Sequence, residues 1–314
     1  MVQGTSAALQ TAGPKRGHRK LSQATQEAIA GYVFASPWLL GLLLLTALPI
    51  GASFYYSFCS YQIVKPPVFW GFRNYVQLFT DDTRFIKSLT NTLFMVVVGV
   101  PIRMVAGLAI AMLMNTKIRG RALYRTMYYL PSQVAGVALA LMWSWLLNPQ
   151  FGVVSNMLWK FNIHPPLWLA DPDWVKPSFI LMGLWGVGGA MIIWLAGLQS
   201  IPEVFYEAAE MDGANKKQRF FRITLPLLSP TIFFVLTTAI IGTFQIFTQA
   251  YVLTSGGPAD ASLFYALYVY QQAFTYFKMG YASAMAWVLF VIIMSVTLIQ
   301  LKFAQNWVYY EAVR

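Results

Sequence analysis

The residues with most chemical potential in this 314-residue chain lie between 200 and 229. Glu203, Glu207 and Glu210 recur at spacings of four and three, which puts three carboxylates on one face of a helix. Lys216, Lys217, Arg219 and Arg222 follow closely. Pro202 suits the first turn of a helix and Gly213 its C′ position, so residues 202–212 read as one short amphipathic helix. A second, basic helical segment follows and is expected to stop at Leu225-Pro226, because proline cannot continue it. Such a helix, lying along a membrane surface, offers carboxylates to a cytoplasmic partner. A solvated loop whose acids pair with the neighbouring basic residues fits the spacing equally well.

Other chemistries are poorly supplied. Cys59 is the single cysteine, and the two histidines, His18 and His164, stand far apart. No disulfide, cysteine cluster or histidine-based metal site follows from that set. The chain has no G-x-x-x-x-G-K-[ST] segment to cradle ATP phosphates. It has no catalytic constellation, so it reads as a non-enzyme whose energy comes from a partner.

The elements that must position these residues are set by composition. Hydrophobic residues make up 58% of the chain and charged residues 11%, with mean hydropathy +0.55. A soluble domain carries roughly 25% charged residues, and a single core of this length cannot hide so much apolar surface. An integral, all-α membrane protein is expected. Six stretches are long and apolar enough to cross a bilayer, at about 32–58, 88–115, 126–147, 178–200, 229–252 and 281–303. The first is too long for a signal-peptide core and no small-residue cleavage site follows it, so it reads as an uncleaved span. Residues 1–30 form a tail, 31–314 the membrane domain and 201–228 its polar inner segment.

The net charge of +11 suggests topology and anionic headgroups rather than nucleic acid. With the N-terminus inside, the inner segments hold Lys15, Arg16, Arg19, Lys20, Lys117, Arg119, Arg121, Arg125, Lys216, Lys217, Arg219, Arg222, Lys302 and Arg314. The outer ones hold half as many: Lys65, Arg73, Arg84, Lys87, Lys160, Lys176 and Lys278. Both termini are therefore expected in the cytoplasm. Trp159, Trp168 and Trp174 in the outer loop 148–177 serve either as interfacial anchors or as a docking surface.

Polar side chains inside a span should face a cavity or another helix. The fifth span carries Thr243-Phe244-Gln245-Ile246-Phe247-Thr248-Gln249 and Tyr251. Amides, hydroxyls and aromatic faces of this kind suit sugar hydroxyls and rings, and Thr and Gln serve equally in interhelical hydrogen bonds. Gly188 and Gly189, in Gly186-Val187-Gly188-Gly189-Ala190 of the fourth span, either pack helices closely or widen a cavity. Arg103 is the charge placed deep in a span. It either faces a translocation path, favouring an acidic sugar such as a uronate, or pairs with a carbonyl, a partner subunit or a headgroup.

Glu207-Ala208-Ala209, Asp212-Gly213-Ala214 and Ile223-Thr224-Leu225-Pro226 together resemble the EAA signature of ATP-binding-cassette (ABC) importer permeases. Gly71-Phe72-Arg73-Asn74-Tyr75, Asn91-Thr92, Arg119-Gly120-Arg121, Leu130-Pro131, Leu147-Asn148-Pro149 and Gly256-Gly257-Pro258 fall where the maltose-type carbohydrate branch has them. The resemblance covers all but about residues 1–30. It implies a type I importer permease with a core of five helices and an N-terminal helix outside it, around the partner permease. It also implies a second related permease, two cytoplasmic ATPase subunits that bind ATP and magnesium, an extracytoplasmic solute-binding protein and a bacterial or archaeal inner membrane. The EAA segment would be the coupling helix: Glu207 meets a basic residue of the ATPase, and Gly213 makes the turn. Lys217 stands where the family commonly has tryptophan. Mid-membrane sugar contacts would lie on the fourth and fifth spans. Importers of other solutes, such as glycerol-phosphate, share these features, whereas a channel would not need the EAA segment.

Overall fold

The structure is a computed structural model and describes residues 22–116 and 119–309. Lys15, Arg16, Arg19, Lys20, Lys117 and Arg314 of the orientation count, and His18, lie outside the described residues. The chain forms two units, residues 1–52 and 53–314.

Helix α1 (Gln23–Ser57) is 35 residues long, or about 52 Å at 1.5 Å per residue. It begins ahead of the apolar stretch because residues 23–31 (Gln-Ala-Thr-Gln-Glu-Ala-Ile-Ala-Gly) favour a helix without being apolar enough for lipid. The Ser22 hydroxyl caps it by accepting from the Thr25 amide at 3.2 Å. No residue of its first unit, from 22 to 52, is buried. Phe34 is 88% and Leu45 80% exposed, a helix apolar around its circumference that suits a lipid environment.

The second unit opens with a departure from the all-α expectation. β1 (Cys59–Gln62) and β2 (Lys65–Phe69) pair antiparallel. Pro66 and Pro67 cannot enter a helix, and the surrounding Ile63, Val64, Val68 and Phe69 favour extended backbone. Asn74, on α2 (Arg73–Thr80), holds the hairpin by donating to the carbonyls of Ser57 (2.8 Å) and Cys59 (2.9 Å).

α3 (Thr83–Asn115) is the second long span, capped by Asp82, which accepts from the Phe85 amide at 2.9 Å. A π turn at Met95–Gly99 immediately precedes Pro101 and makes room for its ring. The single third span expected at 126–147 is not one helix. It is α4 (Arg121–Tyr129), a 3₁₀ turn at Leu130–Gln133 and α5 (Gly136–Leu146). Pro131 removes a helical hydrogen bond and Val134 and Ala135 are extended, which breaks the run. α5, with 11 residues, is too short to cross a bilayer alone.

α6 (Val153–Lys160) follows. The fourth span is two helices, α7 (Pro172–Trp185) and α8 (Gly188–Gln199), bent by 53° at Gly186-Val187. After α9 (Glu203–Met211) and α10 (Lys216–Arg219) comes a π turn at Phe220–Thr224, and then Leu225–Leu227. The basic segment therefore does not stop at Pro226, as expected. The widened turn admits the proline, and the chain runs on into α11 (Ser229–Phe244). Residues 245–247 interrupt the fifth span before α12 (Thr248–Leu253). α13 (Tyr265–Tyr270) and the long α14 (Met279–Trp307) complete the unit. By length and composition, four helices among the described residues can cross a membrane, or five with the bent pair. The expected third stretch is thus built from two shorter helices, because proline punctuation outweighs hydropathy there.

The main core gathers Phe85, Trp143, Phe179, Phe264, Tyr265 and Met285. A polar clamp closes the end of the bundle opposite α9. Arg84 donates from Nε (2.9 Å) and Nη2 (2.8 Å) to the Asp260 carboxylate. Asn91 donates to the carbonyls of Asp260 (2.8 Å) and Leu263 (3.1 Å), and Thr92 Oγ1 accepts from the Tyr265 amide at 2.9 Å. Asp82 also accepts from the hydroxyls of Tyr268 (2.7 Å) and Tyr281 (2.6 Å). Burial, reinforced by Asp82, pushes the Tyr268 phenol well above its ordinary range and keeps it a donor.

Candidate functional site

The first candidate surface is α9 with its turn. Pro202 is the N-cap. At the other end Gly213 takes φ +74°, a conformation open to glycine at little cost. Its amide donates to the Glu210 carbonyl (3.0 Å) and the Ala214 amide to the Ala209 carbonyl (2.9 Å), which is the double bond of a Schellman ending. Asn215 and Gln218 then form a reciprocal capping box at 2.8 and 2.9 Å. The sequence thus specifies helix, stop and restart within 18 residues, from Pro202 to Arg219.

Glu203, Glu207, Ala208 and the C-cap Asp212 are exposed, while Ala209 and Ala214 are half-buried. Glu210 pairs with Arg219, so one acid of the three satisfies the loop-pairing reading. Glu203 and Glu207 have no ion-pair partner among the described residues. Beside them Val204 is 68% and Met211 89% exposed. The result is a knob of carboxylates and uncovered apolar side chains. Its rear is fastened where the Tyr206 hydroxyl meets Thr224 Oγ1 at 3.0 Å. Thr224 is buried in the π turn, with Leu225 and Pro226 next, so α9 is tied to the segment that becomes α11.

The far end of α11 reaches the second site. A cavity of about 220 Å³ is lined by Met95 and Arg103 of α3, Trp143 of α5, Phe179, Met182 and Gly183 of α7, Gly186 at the bend, Ile246 at the break after α11 and Gln249 of α12. Arg103 Nη2 donates to Thr243 Oγ1 at 2.5 Å and Nε to the Gly99 carbonyl at 3.4 Å. The Thr243 hydroxyl in turn donates a hydrogen bond to the Ala239 carbonyl (2.7 Å). A Cβ at residue 183 would come within 2.8 Å of Arg103 Cδ, so Gly183 makes room for the arginine stem.

Of the path residues expected from sequence, the structure brings Arg103, Thr243 and Gln249 together. It separates the others. Phe244 is buried against Val100 and Ile240 in another cluster. Gln245 faces a mostly apolar groove beside α14. Phe247 stacks on Tyr251 at 5.4 Å, and Thr248 packs near Gly136. A Cβ at Gly188 would collide with the Tyr128 carbonyl, whereas one at Gly189 would meet Ser132 at an ordinary 3.7 Å. Gly188 therefore serves close packing of α8 on α4. The cavity instead uses Gly183 and Gly186, and the spacing of three that puts both on one helical face was readable. Trp143, Phe179 and Met182 carried no sequence signal that separates them from ordinary span residues.

These features define a multi-helix membrane protein with an exposed amphipathic helix at one end and an arginine-lined cavity among its spans. Comparison with known proteins narrows the class. Residues 103–308 match the family described as binding-protein-dependent transport system inner membrane component. The chain is 44% identical over 298 residues to the probable ABC transporter permease protein YesP of Bacillus subtilis, covering 94% of this chain and 96% of that one. It is 32% identical over 308 residues to the arabinooligosaccharides transport system permease protein AraP of the same organism, covering 95% of each. It is also 32% identical over 279 residues to the sulfoquinovosyl glycerol transport system permease protein SmoG of Agrobacterium fabrum, covering 88% and 90%. A solved structure of a bacterial ABC transporter that imports the acidic polysaccharide alginate superposes with TM-score 0.80 at 24% identity, covering 90% of this chain and 98% of that one. The chain belongs to the family of binding-protein-dependent transport inner-membrane components. It is an ABC transporter permease rather than an enzyme, and an inner-membrane protein.

Proposed function

We propose that this chain is the permease subunit through which an ATP-driven, binding-protein-dependent importer carries a sugar or oligosaccharide inward by alternating access. The observation that carries this reading is mechanical continuity. α9 offers Glu203, Glu207, Val204 and Met211 at one end of the molecule. Its Tyr206–Thr224 contact ties it to the helical run that enters α11, and the residues at the far end of α11 border the Arg103 cavity. A push on α9 is thereby delivered to the cavity wall. Rigid transmission through packed helices, with the site near the middle, is what alternating access requires.

In this reading α9 is the coupling helix and seats in a cleft of a cytoplasmic ATPase, with Glu207 against a basic residue there. A second related permease completes the pathway, and two ATPases bind ATP and magnesium. A solute-binding protein delivers cargo from outside, and both termini face the cytoplasm. The saccharide class is supported by the arabinooligosaccharide and sulfoquinovosyl glycerol permeases among its relatives. A solved relative is described as a complex with a periplasmic protein holding an alginate pentasaccharide, which supports a binding-protein partner.

The test is the native mass and subunit composition of the complex, gently solubilised and purified through a tag on this chain. One related permease and two ATPases are expected, and saccharide uptake should depend on ATP. Recovery of a folded chain alone, or only with itself, overturns the reading and favours a channel.

A further inference from the structure

Accepting the saccharide reading above, we infer that the cavity between α3, α5, α7 and the α11–α12 break selects an anionic group, a carboxylate or sulfonate, on the cargo. Arg103 is its counter-charge, and Gln249 is a neutral partner.

Arg103 lies mid-span in α3 and has no carboxylate partner among the described residues. It makes two hydrogen bonds, to Thr243 Oγ1 and the Gly99 carbonyl, and a guanidinium has five N–H donors. Most of its donor capacity is unused in a setting where an unpaired charge is costly. Trp143, 5% exposed, contributes to the wall of the same cavity. Gln249 adds an amide that can turn its N–H₂ toward a ligand. The remaining walls, Met95, Leu139, Ala140, Phe179, Met182 and Ile246, are apolar. They supply no competing acceptor and strengthen any charge pairing inside.

A cationic donor with spare N–H groups at the wall of an apolar chamber requires an acceptor with negative charge. A neutral sugar hydroxyl satisfies one N–H at a time, whereas a carboxylate or sulfonate accepts the guanidinium fork in two parallel bonds. Gly183 leaves space for the arginine stem, and the side chain beside the charge is the neutral Thr243 hydroxyl.

The experiment measures equilibrium binding of trigalacturonate and of its methyl ester to the whole membrane complex, purified without the solute-binding protein so that its selectivity does not intervene. The ester keeps the rings and removes the charge. The acid should bind about tenfold or more tightly than the ester, the range of a charge-assisted hydrogen-bond pair. Arg103→Gln should bring the two within about twofold, and Arg103→Lys should keep a reduced preference. Co-purification of the partner subunits shows that each variant is assembled. Equal binding of acid and ester by the unaltered complex overturns the inference, as does a preference that survives Arg103→Gln. So does loss of the partner permease in Arg103→Gln alone, which would assign the arginine to a carboxylate of that subunit. In those cases ATP-dependent uptake of a neutral saccharide leaves the importer reading standing. Failure of the whole complex to take up any saccharide, charged or neutral, removes both.

Discussion

Glu207 and Glu210 sit one helical step apart and have different fates. Glu210 is drawn back to Arg219, while Glu207 stays free on the exposed face of α9. If Glu207 meets a basic residue of the ATPase, Glu207→Lys places like charges in contact. Stimulated ATP hydrolysis should fall to the unstimulated level while membrane insertion stays intact. Full stimulation in that variant would remove Glu207 from the coupling role. Two adjacent glycines make a second contrast. Gly188→Ala drives a Cβ into the Tyr128 carbonyl, which backbone cannot yield cheaply, and overpacking of this kind costs about 1–3 kcal/mol. The gain in helix propensity is at most about 1 kcal/mol, so the thermal midpoint of the solubilised complex should drop. Gly189→Ala meets Ser132 at contact distance and should leave the midpoint unchanged or slightly raised. Equal effects at both positions would mean that α8 does not pack on α4 as described.

At the scale of elements, the loop after α12 owes its shape to α3. Arg84, Asn91 and Thr92 hold the Asp260–Tyr265 backbone and the Asp260 carboxylate. The Arg84–Asp260 pair is more than a third exposed, so its own coupling energy should be modest, about 1 kcal/mol or less. Asn91 and Thr92 are buried and their loss strands backbone groups. Hydrogen exchange of residues 254–264 should therefore accelerate more in Asn91→Ala than in Asp260→Asn. The reverse order would place the clamp's weight on the ion pair. The limits of α9 were legible because proline, glycine and the capping residues act locally: 202–212 was expected and Glu203–Met211 is found. The broken third span also had a local signal, Pro131, which a hydropathy window averages away. The continuation through Pro226 had none, because a π turn depends on how the following helix packs.

For the whole molecule, Asn74 fixes the β hairpin just ahead of the start of α3, while α8, which leads into α9, packs on Ala111 and Met114 near the other end of α3, so the hairpin and α9 are predicted to face opposite sides of the membrane. Cys59 is buried and is the chain's one cysteine, so the native background should be silent to a membrane-impermeant maleimide. Val64→Cys, at a position 92% exposed, and Met211→Cys, at one 89% exposed, should label from opposite faces of sealed vesicles, Met211→Cys from the cytoplasmic face. Labelling of both from one face would invalidate the topology.

Composition alone decided that this chain lives in a bilayer, since so few charged residues cannot coat a soluble fold of this length. Short-range spacing decided the limits of α9, because helix start, stop and turn are settled within a few residues. Which span residues share a chamber was decided only by tertiary structure. Arg103, Trp143, Gly183 and Gln249 come from four separate helices, and their meeting depends on the 53° bend after α7 and the break after α11. Neighbours in sequence such as Thr243 and Phe244 end in different surroundings, because helical geometry turns consecutive side chains about 100° apart.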